Sequence, residues 1–281
     1  MLDGAHMQSP KLEDIAALAI AAGREIMAVR AAGFEALKKG DGSVVTEADH
    51  RAEAVIEAGL QRLAPDVPMI GEEAFEAGRT PEFGAAFFCV DPLDGTRGFA
   101  QGGDEFTVNI ALVRNRTPEM GVIYEPVSGV LYAGAPGRAL RARIAFESDA
   151  PVVYEPIAVR AQQGPTWRIV ASRTFGRTEK ARAFAAALGA VSQDDASSSI
   201  KFCRVAEGAA DLYPRFGDMR EWDAAAGHAI LRAAGGDVMR LDGAPLLYGR
   251  REDGFMVRGL IAYADADAAA AARAAINAIG A

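Results

Sequence analysis

The chain has 281 residues, half of them hydrophobic and 24% charged, with a formal net charge of −8. That length holds one large domain or two smaller ones sharing a core. An acidic balance without a basic block argues against nonspecific binding to nucleic acid or anionic membranes. No stretch reaches the roughly eighteen apolar residues of a membrane-crossing helix, and no charged-then-apolar leader opens the chain. Cys89 and Cys203 sit in apolar runs that suit buried thiols better than a disulfide framework. A cytoplasmic protein is expected.

Residues 1–10 differ in character from the amphipathic segment after them and read as a disordered start or tag remnant. From 11 to 31, Leu12, Ile15, Leu18, Ala19, Ala22, Ile26 and Val29 recur at helical spacing, with Gly33 as a stop. A polar, Gly-rich turn at 38–43 leads through Val44-Val45 to a second helix. Thr46 and Asp49 open it in the form of a capping box, and Pro65 interrupts it. These two helices are expected side by side. Short strands come next: Met69-Ile70 running into Gly71-Glu72-Glu73, the apolar run 86–90 ending at Asp91, and 106–113. Segments 121–124 and 130–133 flank a turn and read as a hairpin.

The pattern becomes irregular at 145–154, where a second unit is expected to begin. It carries a buried strand at 168–172, a helix at 178–188, a strand at 199–204 and a short helix around Glu207. A helix at 222–234 closed by Gly235-Gly236 precedes short strands and a last Ala-rich helix. The order predicts an α+β fold with helices layered between sheets. Its lobes are expected at 11–145, with most of the acidic site residues, and 146–281, with Asp223 and pocket residues.

Three acidic segments stand out: Gly71-Glu72-Glu73, Val90-Asp91-Pro92-Leu93-Asp94-Gly95-Thr96 and Trp222-Asp223-Ala224-Ala225-Ala226-Gly227. Each places carboxylates where a hydrophobic element gives way to a turn or a helix. Taken singly, each has a plain reading: Asp91 as a turn former, Asp94 or Asp49 as a helix cap, Glu72-Glu73 as a solvated turn, Asp223 as a charge favoured by the helix dipole. Their joint occurrence points to a site for several hard divalent cations, Mg²⁺ or Mn²⁺ rather than Zn²⁺, and so to phosphate-ester chemistry. On an extended chain Glu72 and Glu73 would point opposite ways. The free amides at Gly95 and Thr96 suit a phosphate oxygen. Adjacent divalent ions about 4 Å apart lower the pKa of a water between them and stabilise a leaving alkoxide.

In this order, with Asp49 ahead of them, the segments resemble the inositol monophosphatase superfamily of Mg²⁺-dependent, lithium-sensitive phosphatases, from about residue 11 onward. Within it, Glu105-Phe106-Thr107-Val108-Asn109-Ile110-Ala111-Leu112 and the stretch from Lys201 to Arg215 are similar to the CysQ type of 3′(2′),5′-bisphosphate nucleotidase. The resemblance implies a layered α/β/α/β/α sandwich of the sugar-phosphatase kind. It also implies Glu72, Asp91 and the Leu93 carbonyl at the tightest metal, Asp91, Asp94 and Asp223 at a second, and Glu72 with Asp49 at a weaker third. Two to three Mg²⁺ would bind, with Mn²⁺ able to substitute.

Asp49, Glu72 and Thr96 are the implied catalytic residues, Thr96 and Asp49 activating the attacking water. Substrate would touch Glu72, Leu93, Asp94, Gly95, Thr96 and Asp223, with Lys201, Arg215, Tyr213 and Ser199 as candidates for the 5′-phosphate and base. Arg215 reads equally as a partner of Asp211 or Asp218, and Tyr213 equally as a core filler. The implied reaction is hydrolysis of the 3′-phosphate of adenosine 3′,5′-bisphosphate to AMP and phosphate, with the phosphosulfate analogue as a second substrate. The alternative is an inositol-1-phosphatase or sugar bisphosphatase using the same metals. A non-enzymatic binding protein of the same fold would show a damaged ligand set, and every acidic ligand is present. The expected partner is a small phosphorylated nucleotide, and the expected state a monomer or homodimer.

The chain departs from the family pattern in three places. Val44 stands where proline is usual, Arg97-Gly98-Phe99 replaces Lys-Glu-Phe, and Ser172-Arg173-Thr174-Phe175 lacks a histidine. None is a metal ligand, so the departures bear on substrate preference.

Overall fold

The computed structural model describes residues 10–38, 44–145, 151–161, 166–189 and 191–280. Most of the expected start at 1–10, most of the turn at 38–43 and part of the irregular segment at 145–154 lie outside them. Helix α1 (Leu12–Ala32) buries Ile15, Ala19, Ala22 and Ile26 and ends at Gly33, whose φ of 80° stops it. Strands β1 (Ala36–Lys38) and β2 (Val44–Thr46) pair antiparallel. Helix α2 (Glu47–Leu63) starts from the expected capping box. The Thr46 hydroxyl accepts the Ala48 amide at 3.2 Å, and Asp49 accepts the Thr46 amide at 2.7 Å.

Next come β3 (Met69–Gly71), α3 (Glu72–Glu76), β4 (Ala86–Asp94), α4 (Thr96–Ala100), β5 (Thr107–Arg114), β6 (Thr117–Glu125), β7 (Val130–Ala135), β8 (Arg138–Arg143) and β9 (Tyr154–Pro156). These seven strands form one sheet in chain order, β3 and β4 parallel and the rest antiparallel. The second half contributes β10 (Trp167–Ala171), α5 (Glu179–Leu188), β11 (Val191–Asp195), α6 (Ile200–Ala206), β12 (Leu212–Arg220), α7 (Glu221–Ala233), β13 (Asp237–Met239), β14 (Met256–Tyr263) and α8 (Ala266–Ile279). Its five-stranded sheet has the order β11-β10-β12-β14-β13.

Strand alternation sorts the side chains into layers. Phe88, Val90, Val108 and Ile110 join α1 and α2 in one core, while Phe87, Cys89, Ala111 and Ile123 face α7 on the other side of the sheet. In the smaller sheet, Val170, Tyr213 and Leu260 face α6 and α7, and Ile169, Leu212 and Ile261 face α5 and α8. The result is the expected five-layer α/β/α/β/α sandwich. β4 is buried on both faces, which is why its sequence is an unbroken apolar run rather than an alternating one.

Helix α7 is the middle layer, and the large sheet admits it closely. Gly121 of β6 lies opposite Gly134 of β7. A Cβ on Gly121 would stand 2.3 Å from the Ala226 carbonyl oxygen, and one on Gly134 would stand 2.5 Å from Ile230 Cα. The two glycines form a flat notch in which the helix backbone rests directly on the sheet.

Two local expectations are overturned. Residues 199–204 fold mainly as helix α6, not as a strand. Ile200, Phe202, Cys203 and Val205 are all buried, and although Lys201, Arg204 and Glu207 recur three apart, the run of seven residues is too short and apolar to separate helix from strand. Glu72 and Glu73 open a helical turn rather than continuing an extended chain.

Candidate active site

The two sheets deliver the acidic segments to one place. β3 and β4 run parallel with Gly71 opposite Val90, so Glu72, the first residue after β3, and Asp91, the next residue of β4, emerge side by side. Asp223 arrives from the first turn of α7, its Oδ2 accepting the Arg220 amide at 2.8 Å. Glu72, Asp91 and Asp223 each offer one carboxylate oxygen, and these oxygens lie within 4.8 Å of one another. Burial, then the charges of Glu72, Asp94 and Asp223, push Asp91 well above the ordinary carboxylate range. Asp223 is pushed up to about 7 by burial and by Asp94. Mutually repelling, largely desolvated oxygens of this kind fit a hard divalent cation, whose charge removes the repulsion.

The turn after Asp91 is built around that group. The ladder with β5 shifts register between Asp91 and Asp94, and Asp91 Oδ1 accepts the Leu93 amide at 3.0 Å. Gly95 has φ 103° and ψ 22°, a left-handed conformation that glycine adopts without strain. A Cβ there would also stand 2.5 Å from the Ser198 hydroxyl. Thr96 Oγ1 is 2.9 Å from the Leu93 carbonyl and 3.0 Å from Asp49 Oδ1, so its single proton is shared between two acceptors. Asp49 is raised by burial, against the hydrogen bonds it receives from Thr46 and Thr96. Asp94 stands outside the tight carboxylate trio. It is raised by burial, and the positive charge of Lys201 is the largest influence opposing that rise.

Beyond Asp94 lies a cavity of about 250 Å³ lined by Gly95, Gly98, Ser198, Lys201, Tyr213, Arg215 and Asp223. Lys201 reaches it from α6, not from a strand. Its Nζ donates to the Ser198 carbonyl at 2.5 Å, lies 5.2 Å from the Tyr213 ring centre, and is lowered to about 8 by burial. Arg215 donates from Nη2 to the Asp218 carbonyl at 2.8 Å, while its buried Nε has no hydrogen-bond partner among the described residues. Asp211 is taken by Arg168 instead. Tyr213 is buried and packs edge-on against Phe202, with its hydroxyl pushed up to about 12 by burial. A smaller hollow of about 210 Å³ shares Lys201, Tyr213 and Arg215 and adds Phe175 and Phe216. Ser199 lies behind the pocket, its Oγ 2.8 Å from Thr107 Oγ1 and donating to Asn109 Oδ1 at 2.7 Å.

Sequence reasoning passed over Ser198 and Glu53. Ser198, at φ 50°, donates to the Asp94 carbonyl at 2.9 Å and so ties the second sheet's loop to the acidic turn. Nothing in Ser197-Ser198-Ser199 reveals that contact. Glu53 is buried under α3, raised to about 7 by burial. It did leave a signal: an acid on the apolar Ala48, Ala52, Ile56 side of its helix.

Residues 8–278 match the model of the inositol monophosphatase family. The 3′(2′),5′-bisphosphate nucleotidase CysQ of Escherichia coli (strain K12) is 40% identical over 243 residues, covering 86% of this chain and 95% of that protein. The protein of the same name from Salmonella typhimurium is 42% identical over the same length and with the same coverage. The crystal structure of CysQ from Bacteroides thetaiotaomicron, a bacterial member of the family, superposes with a TM-score of 0.74 at 35% identity, covering 90% of this chain and 96% of that one.

Proposed function

The chain belongs to the inositol monophosphatase family, and from that premise we propose its reaction. It is a phosphatase, a 3′(2′),5′-bisphosphate nucleotidase that hydrolyses the 3′-phosphate of adenosine 3′,5′-bisphosphate to AMP and phosphate. The observation that carries this reading is the meeting of Glu72, Asp91 and Asp223 beside a cavity that also holds Lys201 and Arg215. The acids suit a cation-assisted phosphate site, and the two bases suit a second phosphate. The nucleotidase relatives match over most of the chain and favour this reading over the inositol or sugar phosphatase one. The phosphosulfate analogue is a second substrate.

The cofactor is Mg²⁺, two to three ions, with Mn²⁺ able to substitute. Glu72, Asp91, the Leu93 carbonyl, Asp94, Asp223 and, more weakly, Asp49 would hold them. When bound, the ions supply charge neutralisation and Lewis acidity at the phosphoryl group. The amides of Gly95 and Thr96 bind the 3′-phosphate oxygens. Thr96 and Asp49 orient and activate the attacking water: the Thr96 hydroxyl oxygen accepts the water's proton as the hydroxyl's own proton passes to Asp49 Oδ1. Because Gly95 and Ser198 fix the turn, these groups need little rearrangement, and positioning carries much of the rate. Lys201 and Arg215 take the 5′-phosphate, and the hollow beside Phe175 and Phe216 takes the base. The lobes divide after β9, later than residue 145, because β9 still pairs with β8 of the large sheet, and the site lies between them. The protein acts in the cytoplasm as a monomer or homodimer; among the described residues no helix is long and apolar enough to cross a membrane.

Phosphate release from adenosine 3′,5′-bisphosphate, inositol-1-phosphate and fructose-1,6-bisphosphate, each with Mg²⁺ and with EDTA, tests the proposal. The nucleotide should give the highest kcat/KM, and EDTA should abolish release. Preference for inositol phosphate would remove the nucleotide assignment while keeping the metal chemistry.

A further inference from the structure

We propose that Glu53 is a positioning residue that fixes Glu72 relative to Asp49, and through it sets the affinity of the metal site. The inference rests on the reading of Glu72 as a metal ligand. Glu53 lies one helical turn after Asp49 on α2, and both carboxylates are buried, at 3% and 2% exposure. Its Oε2 accepts the Glu73 amide at 2.9 Å and its Oε1 accepts the Ala74 amide at 2.8 Å. One carboxylate therefore grips two consecutive amides of the turn that begins with Glu72. Those amides belong to the first turn of α3, where no intrahelical acceptor exists for them.

Gly71 makes room for this grip. A Cβ at that position would stand 2.5 Å from Glu53 Oε2, inside any ordinary contact. The segment that presents Glu72 thus has two anchors: the β3–β4 pairing, which delivers it beside Asp91, and Glu53, which ties it to α2. The helix α2 is a rigid spacer of one turn between Asp49 and that tie. Partners hydrogen-bonded to a ligating side chain change metal affinity by about 10- to 100-fold when altered; Glu53 holds the backbone beside the ligand instead, so the lower end of that range is expected.

The test is Mn²⁺ titration followed by the EPR signal of the free ion, on wild type, Glu53→Gln, Gly71→Ala and Glu72→Gln, with Tm measured in parallel. Glu53→Gln should weaken Mn²⁺ binding about tenfold, because its amide group presents a donor to a backbone donor. Gly71→Ala displaces the carboxylate without altering it and should weaken binding in the same direction, which keeps the test open if Glu53→Gln does not fold. High Mn²⁺ should restore the turnover of the Glu53→Gln enzyme. A role in stability alone would lower Tm and leave the Mn²⁺ affinity of the folded protein unchanged; that result, with Glu72→Gln weakened, overturns the proposal. If Glu72→Gln also binds Mn²⁺ like wild type, Glu72 is not a ligand, and the proposal falls with that reading.

Discussion

Gly121→Ala adds one methyl group far from the phosphate chemistry, yet it should reduce catalysis. The new Cβ would stand 2.3 Å from the Ala226 carbonyl oxygen and 2.9 Å from both Ala226 Cα and Ala229 Cβ. Two of these atoms are helix backbone, so no rotamer change relieves the clash. Restoring ordinary contact requires α7 and the sheet to separate by about 1 Å. Overpacking of this kind costs about 1–3 kcal/mol, which for a chain of this size lowers Tm by roughly 2–10 °C. Asp223 rides on the same helix, one turn before Ala226, and a shift of about 1 Å in a reacting constellation can cost up to about a hundredfold in rate. Scanning calorimetry and phosphate release from adenosine 3′,5′-bisphosphate would measure both effects. Gly84→Ala is the control: its Cβ meets nothing within 4 Å among the described residues, and its Tm should stay within the range of ordinary surface substitutions. If Gly121→Ala loses Tm but keeps wild-type turnover and Mg²⁺ dependence, the helix–sheet spacing does not set the position of Asp223.

Asp94→Asn should leave the circular dichroism spectrum unchanged and lower kcat by at least about a hundredfold; near-normal turnover would remove Asp94 from the metal and phosphate machinery. Millimolar lithium should inhibit, and indifference to it would mean that the site around Asp91, Asp94 and Asp223 is arranged differently from the sensitive members that this acidic set resembles. Stability should depend on pH in a way that cations reverse. The folded-state pKa of Asp223 is raised from 3.8 to about 7, so its contribution is complete below its unfolded value and is lost as pH rises through about 7. Asp91 is raised too and acts in the same direction. The Tm of the ion-free protein should therefore fall between pH 5 and 8, and the rise in Tm on adding Mg²⁺ should be larger at pH 8 than at pH 5. Differential scanning fluorimetry would show it, and a Mg²⁺ shift independent of pH would mean that protons and cations do not compete for these carboxylates.

The first half of the fold is largely legible in the sequence, because its elements carry clean periods: α1 and α2 have one apolar stripe each, and β4 an unbroken run. The second half is less so. β12 contains Pro214 and Gly217 and shifts register between Arg215 and Asp218, features that argue locally against a strand. β11 is Val-Ser-Gln-Asp-Asp, wholly exposed at a sheet edge, and has no apolar face to announce it. α6 is only seven residues long and mostly buried, so its apolar residues read as a strand. At the site, the acidic residues can be named because their side-chain types carry the chemistry. The supports cannot. Ser198 reaches Asp94 across 104 positions of chain through a hydroxyl that any loop contains, and Glu53 acts on backbone amides, which leave no trace in side-chain identity.

The Trp222-Asp223-Ala224-Ala225-Ala226-Gly227 segment marks the chain as a phosphatase, but only one of its side chains belongs to the carboxylate trio. The small residues after Asp223 reflect the thickness of the layer they occupy. Ala226 lies against Gly121, and a Cβ on Gly227 would stand 2.4 Å from the Phe202 ring. Much of the signature is thus a gauge for the spacing between two sheets. A descendant of this chain could exchange Asp223 for a neutral residue, break up the carboxylate trio, and still carry nearly the whole motif, because packing alone would continue to select against larger side chains.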